Sequence, residues 1–168
     1  FIVASGIERN VSLKLTQLGL AFDKGRCIDH LRLLAAEAQG VGTIVEIDME
    51  QADYVTDTIE VYRALRSDFP HLRLAIQAYL RRTESDCREL AYAGSRVRLC
   101  KGAYSEPESV AYESRLDVDK AYVRILRTLM EGEGYPMIGS HDPRLIAIAQ
   151  ELARTAGRKL DEYEFQML

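Results

Sequence analysis

Two short apolar segments, TIVEID at residues 43–48 and LRLAIQAY at residues 72–79, have the length and composition of buried strands. Between them, apolar residues from Val55 to Leu65 recur at the spacing of one helical face, and the pattern ends before Pro70. A strand, a helix and a second strand in this order are typical of a βαβ unit, in which the two strands run parallel. This stretch therefore predicts an α/β fold.

The same alternation continues in both directions along the chain. Predicted strands lie at residues 11–16, 43–48, 72–79, 96–101, 135–140 and 162–167, and helical stripes lie between them. Two architectures fit this order: an open doubly wound sheet, and a (β/α)8 barrel of which six strands would form only a part. Because no linker or low-complexity segment divides the sequence, we predict one domain over residues 1–168.

Several residues predict where helices begin or end. Gly40 stands where a C-terminal cap glycine belongs. Thr83, with Asp86 three residues later, predicts a capped helix start. Asp142 followed by Pro143 predicts another start, because an acidic cap and a proline in the first turn both favour it.

Polar residues interrupt the predicted strands near their carboxyl ends. Lys14, Asp48, Gln77 and Arg98 alternate with apolar neighbours, and His141 directly follows the fifth strand. Side chains of a strand alternate between two faces, so in a barrel this polar set would line the interior mouth, where barrel enzymes bind ligands. Converging charges would offset part of their desolvation cost and suit an anionic or zwitterionic ligand. The alternative is an internal salt-bridge network or a set of solvated strand ends.

Composition and charge argue against several classes of function. The 168 residues carry 22 Lys and Arg against 26 Asp and Glu, a net charge of −4, whereas a general nucleic-acid binder needs a positive excess. Charges interrupt every apolar stretch before the roughly 18 residues that span a bilayer, and residues 1–10 show no secretory pattern. The three cysteines, Cys27, Cys87 and Cys100, contain no CxxC pair. We therefore expect a cytoplasmic protein with no disulfide framework and no metal site.

Three further residues have both a functional and a structural interpretation. Lys101 ends a predicted strand and could form a Schiff base, hold a phosphate or pair with a carboxylate. His141 stands at a predicted helix N-terminus, which suits a phosphate group, but the same position suits a capping or packing histidine. Tyr104 lies in a long loop after the fourth strand, where barrel enzymes often carry functional residues.

Six motifs in these segments resemble the proline dehydrogenase family, in the family's order and at its spacing. They are VSLKLTQLG (11–19), IDME (47–50), QAYLRR (77–82), RLCKGAY (98–104), SHD (140–142) and EFQML (164–168). The resemblance implies a distorted (β/α)8 barrel that holds FAD without covalent attachment and oxidises L-proline to Δ1-pyrroline-5-carboxylate. It also implies that the electrons pass to a membrane quinone, so that a cytoplasmic enzyme would approach the inner face of the membrane peripherally.

The resemblance also implies roles for eight residues. Lys14 would help to bind the proline carboxylate, and Asp48 would pair with that lysine. Tyr104 would pack near the proline ring, and the catalytic Arg98 would lie beside flavin N5, where a cation can stabilise negative charge on the reduced flavin. The remaining flavin contacts would come from Gln77, Lys101, Gly102 and His141. These roles agree with the physics of hydride transfer, which needs the substrate and the flavin held face to face.

Family members continue past the segment that matches residues 164–168, with an eighth strand and a final helix whose paired arginines clamp the substrate carboxylate. Arg81 and Arg82 are not a substitute, since they follow a different strand. We therefore expect an incomplete barrel of about six βα units, with the first and last strands and the final helix missing. Its open sheet edges favour association, so a homo-oligomer is one expected state. Two alternatives stay open: a non-catalytic flavin-binding fragment that needs a partner or the missing helix, and a Schiff-base lyase that uses Lys101.

Overall fold

The structure is a computed structural model that describes residues 10–167; residues 1–9 and Leu168, the last residue of the EFQML motif, lie outside the described residues. Within the described part, six strands alternate with five helices. Their bounds are β1 Asn10–Lys14, α1 Lys24–Gly40, β2 Ile44–Asp48, α2 Val55–Arg66, β3 Leu72–Gln77, α3 Thr83–Leu90, β4 Arg96–Cys100, α4 Arg115–Glu131, β5 Tyr135–Ile138, α5 Pro143–Thr155 and β6 Glu164–Phe165. None of these described helices has both the length and the hydrophobicity that crossing a bilayer requires.

Each strand of the sheet lies beside the strand that precedes it in sequence, in the order β1-β2-β3-β4-β5-β6. The pairs β1–β2, β2–β3, β4–β5 and β5–β6 are parallel. A doubly wound sheet reverses its strand order at a switch point, and this order contains no reversal. The connectivity is that of consecutive units of a (β/α)8 barrel. The predicted α/β fold is therefore confirmed, and the doubly wound alternative is wrong.

The chain divides into two compact units, Phe1–Leu74 and Ala75–Leu168. The described part of the first unit contains β1, α1, β2, α2 and the start of β3. In its core, one face of α1 and one face of α2 are buried. The side chains that show this are each 0% exposed: Leu31 and Ala35 of α1, and Tyr62 and Leu65 of α2. That residues 1–168 form one domain stays a prediction.

The second unit contains the end of β3 and all elements from α3 to β6. Strand β4 shows the predicted alternation most clearly, because Val97 and Leu99 are buried while Arg96, Arg98 and Cys100 are partly exposed. Helix α4 packs over the buried face, where the hydroxyl of the fully buried Tyr122 donates to the Leu99 carbonyl at 3.0 Å. One face of β4 thus belongs to the core, and the opposite face carries the polar side chains.

One of the three predicted helix ends is wrong, and two are confirmed. Helix α1 continues through Gly40, and the left-handed backbone that follows it lies at Gly42, with φ of +67°. Helix α3 begins at Thr83 as predicted, but Thr83 is its first residue and not its cap, and its hydroxyl donates to the Gln77 carbonyl at 2.6 Å. Helix α5 begins after Asp142 as predicted, and the Asp142 carboxylate accepts an N–H of the first turn at 3.0 Å.

Candidate active site

Lys14 and Asp48 end the first two strands and are partners in the sheet. The register of β1 and β2 pairs Lys14 with Asp48 and Leu13 with Ile47. Neighbouring strands lie about 4.8 Å apart, and partner residues of a parallel pair point to the same face. Because Leu13 and Ile47 are buried, at 8% and 0% exposed, the two charged residues share the opposite face. The structure therefore brings the lysine predicted to bind the substrate carboxylate beside the aspartate predicted to support it.

A buried carboxylate joins the two segments that follow these strand ends. Glu50, which is 4% exposed, accepts the backbone N–H of Thr16 at 3.0 Å and its hydroxyl at 2.6 Å. Thr16 lies in the short 3-10 turn that follows β1, whereas Glu50 comes just after β2. This pair fixes the turn next to Lys14 against the chain next to Asp48. The sequence did not reveal it, since the two residues are 34 positions apart and each belongs to a different motif.

In the second unit, β4, β5 and β6 place three residues in one row across the sheet. The register pairs Arg98 with Met137 and Met137 with Glu164. The Gln166 side-chain amide donates to the Glu164 carboxylate at 2.7 Å and contacts the Met137 sulfur at 3.3 Å. Gln77, at the end of β3, is 5% exposed. This row places the Arg98 guanidinium and the Glu164 carboxylate on the face of the sheet that the alternation of apolar and polar residues predicts to be polar.

Lys101 follows β4 and takes part in a network of four charged side chains, which we call the Lys101 network: Lys101, Asp119, Asp142 and Arg144. The Lys101 Nζ lies 2.7 Å from Asp119 Oδ1 and 3.1 Å from Asp142 Oδ2. The Arg144 Nη2 closes the ring, at 3.1 Å from Asp119 Oδ2 and 2.8 Å from Asp142 Oδ2. Two cations and two anions balance each other, so the network is neutral. It joins the end of β4 to the N-terminal parts of α4 and α5.

This network decides between two of the interpretations of Lys101. Burial lowers the pKa of the Lys101 ammonium, but hydrogen bonds to Asp119 and Asp142 outweigh that effect and raise the pKa. A Schiff base requires a neutral amine, which is favoured by a lowered pKa. The geometry therefore disfavours the lyase alternative and favours a protonated lysine held in a fixed position.

Asp142→Asn is expected to remove a stabilising contribution that the protein has at neutral pH and loses in acid. Hydrogen bonds from Arg144 and Lys101 hold the pKa of the Asp142 carboxyl well below its usual range. Such a carboxyl stabilises the folded state fully above its unfolded value of about 4, and the contribution disappears as the pH falls through the lower folded-state pKa. Asparagine caps a helix about as well as aspartate, so the substitution removes the charge and keeps the cap.

Thermal midpoints measured across this range test the expectation. The midpoint of the variant should lie furthest below that of the wild type near neutral pH, and the two should approach each other below about pH 4. Asp117→Asn is the control, because that carboxylate is 52% exposed and lies 3.7 Å from Lys120. A difference for Asp142→Asn that stays constant with pH would contradict the charge-based account.

The remaining predicted site residues lie just beyond β4 and β5. Gly102 has φ of +115°, in the left-handed region that favours glycine, and a Cβ at this position would overlap the Tyr79 ring. Packing against Tyr79 is thus a structural reason for glycine here, besides the flavin contact that the resemblance implies. Tyr104 is half-buried in the loop after β4, and His141 is exposed between β5 and α5.

The structure accordingly brings together two subsets of the predicted residues. Lys14 and Asp48 are neighbours on adjacent strands in the first unit, while Arg98 and Lys101 lie at the carboxyl end of one strand in the second. That all of them share one cavity stays a prediction, and so does each assigned role. Among residues 10–167, no three His, Cys, Asp or Glu side chains are grouped so that they could hold a metal ion.

The unbroken order of the strands, each joined to the next by a helix, is that of an α/β protein of the barrel class. Residues 4–168 match the family model described as proline dehydrogenase. The chain is 35% identical over 162 residues to proline dehydrogenase 2 of Bacillus subtilis (strain 168), covering 96% of this chain and 54% of that protein. It is 33% identical over 170 residues to the proline dehydrogenase of Deinococcus radiodurans, covering 98% of this chain and 55% of that one. The chain belongs to the proline dehydrogenase family.

A solved structure gives the same fold. The crystal structure of proline utilization A (PutA) from Bdellovibrio bacteriovorus, inactivated by N-propargylglycine, matches with a TM-score of 0.84 and 27% sequence identity. The match covers 94% of this chain and 20% of that chain. The chain also spans about half the length of the curated relatives it matches.

Proposed function

We propose that this protein is a flavin-dependent proline dehydrogenase that oxidises L-proline to Δ1-pyrroline-5-carboxylate, the first step of proline catabolism. The observation that carries the proposal is the family match over residues 4–168, which includes all eight predicted site residues. The register of Lys14 and Asp48 supports it, because a lysine with a carboxylate on the neighbouring strand suits the binding of an amino-acid carboxylate. We propose that residues 1–168 contribute a partial barrel domain to this enzyme.

The donor set of the second unit fits a flavin nucleotide. Gln77 offers a buried side-chain amide at a strand end, and Arg98 offers a partly exposed guanidinium on the polar face of β4. Flavin rings present carbonyl oxygens and unprotonated ring nitrogens, and an FAD also presents a pyrophosphate, all of which accept hydrogen bonds from such groups. Lys101, Gly102 and His141 would complete the cofactor contacts. When bound, FAD supplies the hydride acceptor for the reaction.

The chain's own residues would bind and orient the substrate. The Lys14 ammonium would pair with the proline carboxylate, and Asp48 would keep that ammonium on the polar face of the sheet. Tyr104 would pack against the proline ring and limit its movement. Arg98 would place a positive charge where negative charge develops during hydride transfer, which is the most effective position for electrostatic stabilisation. No step in this scheme needs a metal ion.

The electron acceptor and the location of the enzyme belong to the same proposal. We propose that a membrane quinone reoxidises the flavin, and that a cytoplasmic enzyme approaches the inner face of the membrane peripherally. Association into a homo-oligomer is part of the proposal as well. The family resemblance supports the quinone.

The proposal predicts that the purified protein binds FAD and that L-proline bleaches the flavin absorbance under anaerobic conditions. The protein should also reduce an artificial electron acceptor only when proline is present. Lys14→Gln should raise KM for proline by about tenfold or more while the bound flavin is retained, because it removes one ion pair to the substrate. Lys120→Gln is the matched control, since that lysine is 58% exposed on α4.

Two results would contradict this proposal in different ways. A protein that binds FAD but does not respond to proline would favour the non-catalytic flavin-binding alternative. A protein that neither binds FAD nor oxidises proline would contradict both functions.

A further inference from the structure

The loop between β4 and α4, residues 101–114, carries Tyr104 and is held at both ends by one residue. The backbone N–H of Tyr79 donates to the Lys101 carbonyl at 2.9 Å, at the start of the loop. The Tyr79 carbonyl accepts the N–H of Tyr112 at 2.8 Å, near its end. These two hydrogen bonds to Tyr79 hold the ends of the loop close together, so the residues between them form a compact loop.

The next two residues extend this attachment. Leu80 pairs with Ala111 in an antiparallel bridge, and both are 2% exposed. The Arg81 backbone N–H donates to residue 110 at 2.9 Å, and its side-chain Nε donates to the Glu108 carbonyl at 3.0 Å. The Arg81 guanidinium also lies 4.5 Å from the centre of the Tyr112 ring, within the range of a cation–π contact. We call Tyr79, Leu80 and Arg81 the loop clamp.

A third contact fixes the loop directly beside Tyr104. The Tyr79 ring occupies the space that a side chain at position 102 would need, so the backbone of Gly102 lies against the ring. Tyr79 is itself 7% exposed, and its burial, with a smaller effect from the loop residue Glu106, raises its pKa to about 12. The ring therefore stays neutral and packed between the core and the loop.

We propose that Tyr79 and Arg81 are positioning residues for the substrate site, because they set the place of the loop that carries Tyr104. This inference rests on the proposed function, in which Tyr104 packs against the proline ring. Arg81 follows β3, whereas the loop follows β4. The Arg81 side chain contacts the Glu108 carbonyl and the Tyr112 ring. Its role is thus to shape the site, and it is not a ligand of the substrate carboxylate.

Loosening the clamp lowers the fraction of molecules in which Tyr104 stands in its binding position. The apparent dissociation constant of a ligand rises in inverse proportion to the fraction of the protein that is competent to bind it. A looser loop should therefore weaken proline binding, whereas the chemistry of correctly assembled molecules is unchanged. KM for L-proline should therefore rise, and kcat should stay unchanged.

Arg81→Ala in the full protein tests the inference. We expect KM for L-proline to rise by about fivefold or more, with kcat within about twofold and flavin content unchanged. Amide hydrogen exchange of residues 103–111 should become faster. Arg81→Lys keeps a cation near the Tyr112 ring and should restore part of the affinity. Arg88→Ala is the matched control, since that side chain is 67% exposed and pairs with Glu84 within α3.

The outcomes separate this inference from the function on which it rests. A wild-type protein that does not oxidise proline contradicts the proposed function, and the positioning role is lost with it. An active wild type whose Arg81→Ala variant has a lowered thermal midpoint but an unchanged KM overturns the positioning role alone. A rise in KM with faster loop exchange, absent in Arg88→Ala, supports it.

Discussion

Replacing Arg98 by methionine is expected to lower kcat/KM for L-proline by about 100- to 1,000-fold, the loss typical of removing one preorganised electrostatic contact to a transition state. Arg98 lies on the polar face of β4, in register with Met137 and in the same row as Glu164. If it stands beside flavin N5 as proposed, its charge is needed most when negative charge reaches the flavin. Methionine retains an unbranched stem of similar reach and removes only the guanidinium. Steady-state kinetics and the flavin content of the purified variant measure the effect.

Two further variants make this experiment specific. Arg98→Lys keeps the positive charge but loses the planar fork, so its loss should be smaller than that of methionine. Arg96→Met is the matched control on the same strand and face, because the Arg96 guanidinium lies 4.6 Å from the centre of the Tyr135 ring and not at the carboxyl end. A kcat/KM of Arg98→Met within a few-fold of Arg96→Met would contradict a catalytic role for Arg98.

The parts of this fold that could be predicted from the sequence are those that depend on period and order. Alternation with period two separates Leu13 and Ile47 from Lys14 and Asp48, and it gives the face of each residue without knowledge of any partner. The succession of strands and helices then predicts parallel neighbours, whose carboxyl ends lie at the same edge. These two facts place Lys14 and Asp48 on one face at one edge of the sheet, whereas only the family resemblance implies that the two residues pair.

Contacts between side chains far apart in sequence could not be predicted in this way. Asp119 lies on a helix among several other acidic residues, and no local pattern marks it as the partner of Lys101 at 2.7 Å. Glu50 and Thr16 are likewise joined only because two turns meet in space. The sequence correctly places the start of α3 at Thr83 but does not reveal the contact of its hydroxyl, which donates to the Gln77 carbonyl at the end of the preceding strand.

Arg158→Ala is expected to destabilise the protein by about 3 kcal/mol, because one guanidinium satisfies four backbone carbonyls at the end of α4. Its Nε donates to Met130 at 2.9 Å and its Nη1 to Gly134 at 2.8 Å. Its Nη2 donates to Leu129 at 3.1 Å and to Gly132 at 2.5 Å. The last carbonyls of a helix have no partner within it, and a cation there also interacts favourably with the helix dipole. Alanine would leave these part-buried carbonyls without their charged donor.

The midpoint of urea unfolding, compared across three variants, separates this role from ordinary surface charge. Arg154→Ala removes an arginine that is 74% exposed and pairs with Glu151, and such surface pairs contribute about 0–1 kcal/mol. Arg158→Lys retains the charge but cannot reach four carbonyls at once, so its midpoint should fall between those of the wild type and Arg158→Ala. An Arg158→Ala midpoint equal to that of Arg154→Ala would show that water replaces the guanidinium without cost. Because Arg158 lies outside the proposed site, KM for proline should stay unchanged in the folded Arg158→Ala protein, whereas the loop-clamp substitution should change it.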